Sequence, residues 1–272
     1  MSFFLNIKKW SSQHLSATNI KCQYDVPSTD LVGDANLPND GDEEFEKLAE
    51  YFTKPTKEEV LSAPFTLRPY RENPFHRTLL YLEGSLGSTG SWMRKTAKES
   101  LYSFFEVVGL RIKNERNILE VQFVIPSLSA RGTLKCDGAL LLPINTSENS
   151  PLSQSWSYPL CIISVIRDND TAKIEKHEVP QLLMQAVSAY NDNPTLDDYT
   201  GFVITMDGSI LHLSKAVMSN TYVKDICNGR LSSENLKYYR SEPYDLLDQG
   251  GRREFLRAII GLYRYLNRKE NV

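Results

Sequence analysis

An aspartate followed by glycine, Asp137-Gly138, interrupts the apolar stretch "TLKCDGALLLP". A carboxylate in this setting could bind a divalent cation, because Mg²⁺ is held by oxygen ligands. The next apolar run, "YPLCIISVIRD", predicts a buried strand. Ser164 and Ile166 point to the same face of that strand, since side chains alternate along it. Neither the hydroxyl of Ser164 nor the aliphatic side chain of Ile166 carries a charge. Whether Asp137 can bind a cation therefore depends on the other residues near it.

The segments that would position Asp137 are a helix, three strands, a second helix and further strands. "SWMRKTAKESLYSFFEVVG" carries apolar residues at helical spacing, and Gly109 is placed to end that helix. Three runs rich in Val, Ile, Leu and Phe follow, namely "ILEVQFVIPSL", "TLKCDGALLLP" and "YPLCIISVIRD". "EVPQLLMQAVSAYND" predicts the second helix, and "YTGFVITMDGSILHLSKAVM" predicts two strands around a turn at Asp207-Gly208. This order predicts a mixed sheet with helices against its faces. The residues expected in its core include Leu160, Ile162, Val165 and Leu183.

Over residues 92–213 this order of elements resembles the PD-(D/E)xK nuclease superfamily, especially its fungal and Crinkler-associated members. In that superfamily the second core strand carries a metal-binding aspartate, often followed by glycine, and Asp137 stands in that place. "PQLLMQAVSAY" is similar to the helix after the third core strand, with Gln181, Gln185 and Tyr190. The resemblance implies an α/β fold, that is an α+β mixed sheet, with a restriction-endonuclease-like α-β-β-β-α-β core and added N- and C-terminal helices.

The resemblance also implies a Glu, one spacer residue and a Lys on the third core strand, where this chain has Ser164, Val165 and Ile166. In an active member the two carboxylates hold Mg²⁺, the metal activates water, and the lysine orients the nucleophile. Asp137 alone is a poor site for a strongly hydrated ion. The comparison therefore implies a degenerate site, at which we expect no catalytic residue, no metal and no cofactor; Asp137 is the metal ligand if there is one.

Alternatively, residues elsewhere in the fold could replace the missing Glu and Lys. The protein would then be an active Mg²⁺-dependent nuclease. Glu99 and Glu106 lie on the first helix, from which many members of the superfamily contribute an acidic ligand. Both fall opposite the apolar stripe, which favours a solvated face. Asp168 and Lys173 follow the third strand, and an Asp at a strand end is more typical of a turn. The vestigial or migrated candidates are Glu99, Glu106, Asp137, Ser164, Ile166, Asp168, Lys173 and Gln181.

The composition is that of a globular protein, with 41% hydrophobic and 24% charged residues among 272. No run of about 18 apolar residues is present, and the start of the chain does not read as a secretory signal. We therefore expect no membrane partner and an intracellular location, nuclear or cytoplasmic. The net charge of −3 argues against general polyanion binding. Four scattered cysteines and four scattered histidines predict free thiols and no zinc cluster.

The first 60 residues are expected to form an N-terminal arm, and residues 61–272 the PD-(D/E)xK-like domain. Residues 25–44 are rich in Pro, Gly, Asp and Asn, which predicts a flexible linker. A short amphipathic helix should follow, and it could pack on its own domain or on a partner. Its apolar residues at helical spacing are Phe45, Leu48, Ala49 and Phe52.

The C-terminal segment "RREFLRAIIGLYRYLNRK" predicts a helix with one apolar face and one basic face. A docked helix with a solvated basic face is the simpler interpretation. The weaker one is nucleic-acid binding without chemistry, in which cations and aromatic rings cooperate. The residues that would carry it are Arg252, Arg253, Arg257 and Arg264, with Tyr238, Tyr239, Tyr263 and Tyr265.

The leading hypothesis is a catalytically degenerate nuclease-like domain that serves as an interaction module for a protein partner, in a complex that can be associated with nucleic acid. Replacing a buried charged pair with an apolar residue is often neutral or stabilising, because the desolvation penalty disappears. The alternatives are the active Mg²⁺-dependent nuclease with migrated residues and the non-catalytic nucleic-acid-binding domain.

Overall fold

Helices on both faces enclose a mixed β-sheet in the computed structural model, which describes residues 18–62, 71–110, 112–113, 119–125, 130–140, 161–166 and 171–270. The helices are α1 (Ser28–Val32), α2 (Glu43–Thr53), α3 (Lys57–Leu61), α4 (His76–Leu86), α5 (Gly90–Val107), α6 (Thr171–Asp192), α7 (Asn220–Cys227) and α8 (Gln249–Glu270), with a 3-10 turn at Asp34–Asn36. The strands are β1 (Ile20–Val26), β2 (Ile112–Lys113), β3 (Leu119–Ile125), β4 (Ala130–Cys136), β5 (Gly138–Leu140), β6 (Cys161–Val165), β7 (Asp198–Asp207), β8 (Ile210–Ser219), β9 (Leu236–Ser241) and β10 (Tyr244–Asp245).

The main sheet has the strand order β1-β9-β8-β7-β6-β5-β2, with β10 paired to β8. Strands β6 and β7 are parallel and are joined through α6, whereas β5 is antiparallel to β6 and β8 is antiparallel to β7. The predicted mixed sheet with flanking helices is therefore confirmed. The predicted turn at Asp207-Gly208 joins β7 to β8, and Gly208 has a φ of 60°, which suits glycine.

The first predicted strand lies elsewhere than expected. β3 pairs with β4 in a separate two-stranded sheet, and the short β2 is the neighbour of β5 in the main sheet. The extended run is interrupted at Asp137, between β4 and β5, so "TLKCDGALLLP" contributes strand residues to both sheets.

Strand alternation divides the apolar residues between two layers. One face of the sheet packs against α6 and α7, through Ile162, Val203 and Leu183 among others. The other face packs against α2, α4, α5 and α8, through residues such as Val165 and Phe255. Ile162, Val165 and Leu183 are buried, as predicted, and Leu160 lies outside the described residues.

The N-terminal stretch differs from the linker that its composition predicted. β1 pairs in parallel with β9, and Leu31 and Val32 are fully buried beside α8. The 3-10 turn that follows is held by Asn36, whose side chain donates to the Val32 carbonyl at 2.6 Å. Two apolar residues in a polar stretch are enough to dock it when a large apolar helix face is available.

The predicted amphipathic helix is confirmed as α2. Asp42 caps its first turn by accepting from the Phe45 amide at 3.2 Å. Phe45, Ala49 and Phe52 are buried, and the helix packs against α8 of the same chain. The structure thus joins residues 18–61 to the sheet and to α8 by extensive apolar packing, across the boundary expected near residue 60. Within the described helices, none is both long and apolar enough to span a membrane.

Candidate functional site around Asp137

Asp137 lies between β4 and β5, against the middle of β6. Its amide donates to the Ile163 carbonyl at 2.9 Å, and the residue is only 2% exposed. The hydroxyl of Tyr102, on α5, donates to the Asp137 carbonyl. A β-carbon at Gly138 would lie 2.9 Å from that hydroxyl oxygen, so glycine is needed for α5 to approach the strand this closely.

The Asp137 carboxylate is bound by a guanidinium group. Arg94 Nε donates to Oδ1 at 2.8 Å and Arg94 Nη2 donates to Oδ2 at 2.9 Å, in the two-pronged geometry that suits this pair. The backbone amide of Val165 donates to Oδ2 at 2.9 Å. The hydrogen bonds to Asp137 raise the pKa of Arg94, although burial opposes them. Both carboxylate oxygens therefore already have cationic or amide partners.

The neighbouring strand supplies no second charge. Ser164 is 5% exposed, and its hydroxyl accepts from Gln181 Nε2 at 3.2 Å. Ile166 is buried with an apolar side chain. Gln185 donates to the Phe202 carbonyl at 2.9 Å and accepts from the amide of the same residue at 3.1 Å. These two glutamines therefore fasten α6 to the sheet.

The two described acidic candidates, Glu99 and Glu106, lie on α5. Glu106 is well exposed and forms a long ion pair of 3.8 Å with Arg77. Glu99 is partly buried on α5. Asp168 lies outside the described residues, and so does the side chain of Lys173. Within the described part of the chain, no group of three or more His, Cys, Asp or Glu side chains could hold a metal ion.

Arg94 is the site residue that sequence reasoning did not identify. It lies on α5 eight residues before Tyr102, so both side chains fall on the same side of the helix. A signal was therefore present, because a basic and an aromatic residue at that spacing can reach one target. Asp137 is 43 residues after Arg94 in the chain, and helical spacing gives no indication that these two residues meet.

A second polar cluster, also missed, lies between α6 and the sheet. Glu178 is fully buried and accepts from the Thr205 hydroxyl at 2.7 Å and the Tyr238 hydroxyl at 2.6 Å. Arg240 Nε lies 3.6 Å from the same carboxylate. A buried carboxylate with these partners is satisfied, and the cluster links α6 to β7 and β9.

The arginines of α8 serve contacts inside the chain. Arg252 is fully buried and donates to the Leu246 carbonyl at 2.9 Å and to the Pro55 carbonyl, and burial lowers its pKa to about 10. The other three bind acidic residues of the stretch that precedes or begins α2. The pairs are Arg253 with Glu46 at 2.6 Å, Arg257 with Asp40 at 2.8 Å, and Arg264 with Asp42 at 2.8 Å.

The nucleic-acid interpretation of these residues thus meets a physical obstacle. Arg252 is fully buried, so it could contact a nucleic-acid phosphate only if the surrounding fold opened. Tyr238 is fully buried as well. Tyr265 packs edge-on against Phe202, whereas Tyr263 is 37% exposed. The basic face predicted from the sequence is largely neutralised by the acidic N-terminal stretch.

Comparison of the chain with protein-family models and with curated proteins found no match.

Proposed function

We propose that this chain is a PD-(D/E)xK-like domain that has lost metal-dependent nuclease chemistry and acts as an interaction module. Its partner is a protein, in an assembly that can include nucleic acid. The observation that carries the proposal is that Arg94 and the Val165 amide together bind both oxygens of the Asp137 carboxylate. The residue before Val165 on β6 is the neutral Ser164.

The topology supports the family part of the proposal. A helix precedes the strands that flank Asp137, and the parallel pair β6 and β7 is connected through a crossing helix. Asp137 touches β6 at Ile163 and Val165, so its carboxylate lies beside the strand on which the superfamily carries its Glu and Lys. Ser164 and Ile166 of that strand carry no charge.

The electrostatics support the loss of catalysis. Mg²⁺ at such a site needs anionic oxygens, and one carboxylate that already balances a guanidinium has no net charge to offer. Arg94 holds a fixed cation where a divalent ion would have to displace two charge-assisted hydrogen bonds. With chemistry absent, binding is the activity that a folded domain of this kind retains.

The direct test is cleavage together with metal binding. A genuine Mg²⁺ site of about 0.1 mM affinity would stabilise the fold by about 2.7 kcal/mol at about 10 mM metal. We expect no site-specific stabilisation by Mg²⁺ or Mn²⁺ in thermal unfolding, and no cleavage of single- or double-stranded DNA or RNA. Cleavage that Asp137→Asn abolishes would overturn the proposal and favour the migrated-site nuclease.

A gain-of-binding variant tests the geometry. Arg94→Ala with Ser164→Glu removes the resident cation and adds a carboxylate on β6, the strand whose Val165 amide binds Asp137. We expect this variant, unlike the native chain, to be stabilised by Mn²⁺. The matched control is Arg94→Ala with Ser164→Gln, which has the same shape without the charge. Equal responses to Mn²⁺ in the two variants would contradict the assignment of Ser164 to the metal-binding position.

A further inference from the structure

Among the described strands, β1 lies at one edge of the main sheet. It pairs in parallel with β9 through Ile20 to Gln23, and none of the described strands pairs with its outer side. The stretch from Lys21 to Asp25 is exposed on both faces of the sheet. An edge of this kind presents unpaired amide and carbonyl groups to another chain.

The register shows which groups face outward. The Leu236 amide of β9 donates to the Asn19 carbonyl at 3.2 Å, so the carbonyl group of Asn19 faces β9. Because the direction alternates along a strand, Lys21 and Gln23 also face β9, and the backbone groups of Cys22 and Tyr24 face away from it.

Residues at equal distances on either side of Gln23 in β1 have similar polarity, and the one charged pair among them has opposite signs. It reads "IKCQYDV", with an apolar residue at each end, Lys21 and Asp25 next, and Cys22 and Tyr24 flanking the glutamine. An antiparallel pair of two such strands, centred on Gln23, would place Lys21 opposite Asp25 of the second copy. It would also place Cys22 opposite Tyr24, which is the pair whose backbone groups face outward.

We propose that β1 is a self-association edge, at which two copies of this chain pair antiparallel about a two-fold axis through Gln23. A slip of two residues in either direction keeps the backbone pairing but removes the match of Lys21 with Asp25. The charges therefore select the centred register. The interface is isologous, since each copy contributes the same strand. This inference does not rest on the proposed function, because β1 and Asp137 lie toward opposite edges of the sheet.

The local geometry sets the strength of the association. Asp25 has a φ of 53°, and the pairing with β9 shifts between Gln23 and Val26. This bulge puts Asp25 at the end of the ladder, where only its side chain would contact Lys21 of the second copy. An interface of one short strand belongs to the small, transient class. We expect a dissociation constant between about 1 µM and 1 mM.

The test is a charge-reversal mixing experiment on the full chain, read by sedimentation equilibrium. We expect the native chain to approach twice its 31.0 kDa mass as concentration rises. Lys21→Glu and Asp25→Lys should each weaken self-association at least about ten-fold, because each places like charges opposite one another twice. An equimolar mixture of the two variants should recover association, since both pairs are then opposite in charge.

Two further variants keep the test decisive. Lys224→Glu makes the same charge change at an exposed position on α7 and should leave association unchanged. Cys22→Pro removes an amide that faces outward, so it should abolish association without removing a bond to β9, even if Asp25→Lys proves too strained to fold. A native chain that stays at 31.0 kDa up to about 1 mM overturns the proposal. So does a dimer that neither Lys21→Glu nor Cys22→Pro weakens.

Discussion

The contact between Arg94 and Asp137 turns a candidate metal ligand into half of an ion pair. The carboxylate is 2% exposed, whereas the arginine side chain is 46% exposed, so the pair lies at the boundary between core and solvent. A guanidinium matches a carboxylate with two parallel hydrogen bonds, which an ammonium group cannot do. The buried charge is therefore balanced by a side chain of the protein itself.

Arg94→Met should destabilise the fold by about 1–3 kcal/mol, because the Val165 amide is then the remaining described partner of a buried carboxylate. The cost is moderated by the solvent that reaches the arginine. Denaturant unfolding measures the change. Lys95→Met is the matched control, since Lys95 is the next residue of α5 and is exposed. Equal destabilisation in the two variants would contradict a stabilising role for the ion pair.

At the scale of elements, α6 is held to the sheet by polar as well as apolar contacts. Glu178 links the helix to β7 and β9, and Gln185 binds the backbone of Phe202. Gly201 permits this close approach, because a β-carbon there would lie 2.9 Å from the Leu182 carbonyl oxygen. The helix is thereby fixed in one position over the strands.

A double-mutant cycle at Glu178 and Arg240 should show strong coupling. Glu178→Leu alone leaves Arg240 almost buried without its partner, and we expect a loss of about 3–5 kcal/mol. Adding Arg240→Met should cost less than the sum of the two single changes, because no charge is then left unpaired. Strict additivity in denaturant unfolding would show that the two charges do not interact.

The contact between α2 and α8 has a separate electrostatic component. Hydrogen bonds from Arg257, Arg264 and Arg253, respectively, hold the pKa of Asp40, Asp42 and Glu46 below the ordinary values of 3.8 for Asp and 4.5 for Glu. A carboxyl whose pKa is depressed in the folded state contributes stability above its ordinary pKa and loses it as the pH falls through the lowered value.

Acid and salt should therefore both weaken this contact. We expect the melting temperature of Asp42→Asn to fall below that of the native chain at neutral pH. The two should converge in high salt, and also as the pH falls below the ordinary Asp value of 3.8 and through the lowered pKa of Asp42. Asparagine also caps helices well, so this variant removes the charge while it keeps the cap on α2. A difference that does not depend on pH would point to loss of the cap instead.

At the scale of the molecule, both ends of the described chain share one apolar core. Val26, Leu31 and Phe45 belong to the same cluster as Phe255 and Leu266 of α8. The N-terminal segment also supplies an edge strand to the sheet. The fold therefore uses the segment as part of its core.

A chain that starts at residue 62 should fail to fold cooperatively, because it lacks β1 and exposes the apolar face of α8. Near-ultraviolet circular dichroism and thermal unfolding measure this. Co-expression of residues 1–61 as a separate chain should restore a folded complex. A stable, cooperatively folded 62–272 fragment would instead support the domain boundary expected near residue 60.

The sequence by itself determined the features that depend on local pattern. Alternation and helical spacing predicted β6, α6 and α2, and the residue types at positions 164 and 166 already excluded a charged pair there. The tertiary structure decided which distant residues meet. Arg94 and Asp137 are 43 residues apart, and Arg257 and Asp40 are 217 residues apart. Periodicity reports which face a side chain occupies, whereas the partner across that face is set by how the helices pack on the sheet. For the same reason the composition of residues 25–44 predicted a linker. The burial of Leu31 and Val32 depends on the apolar surface of α8, which local composition does not report.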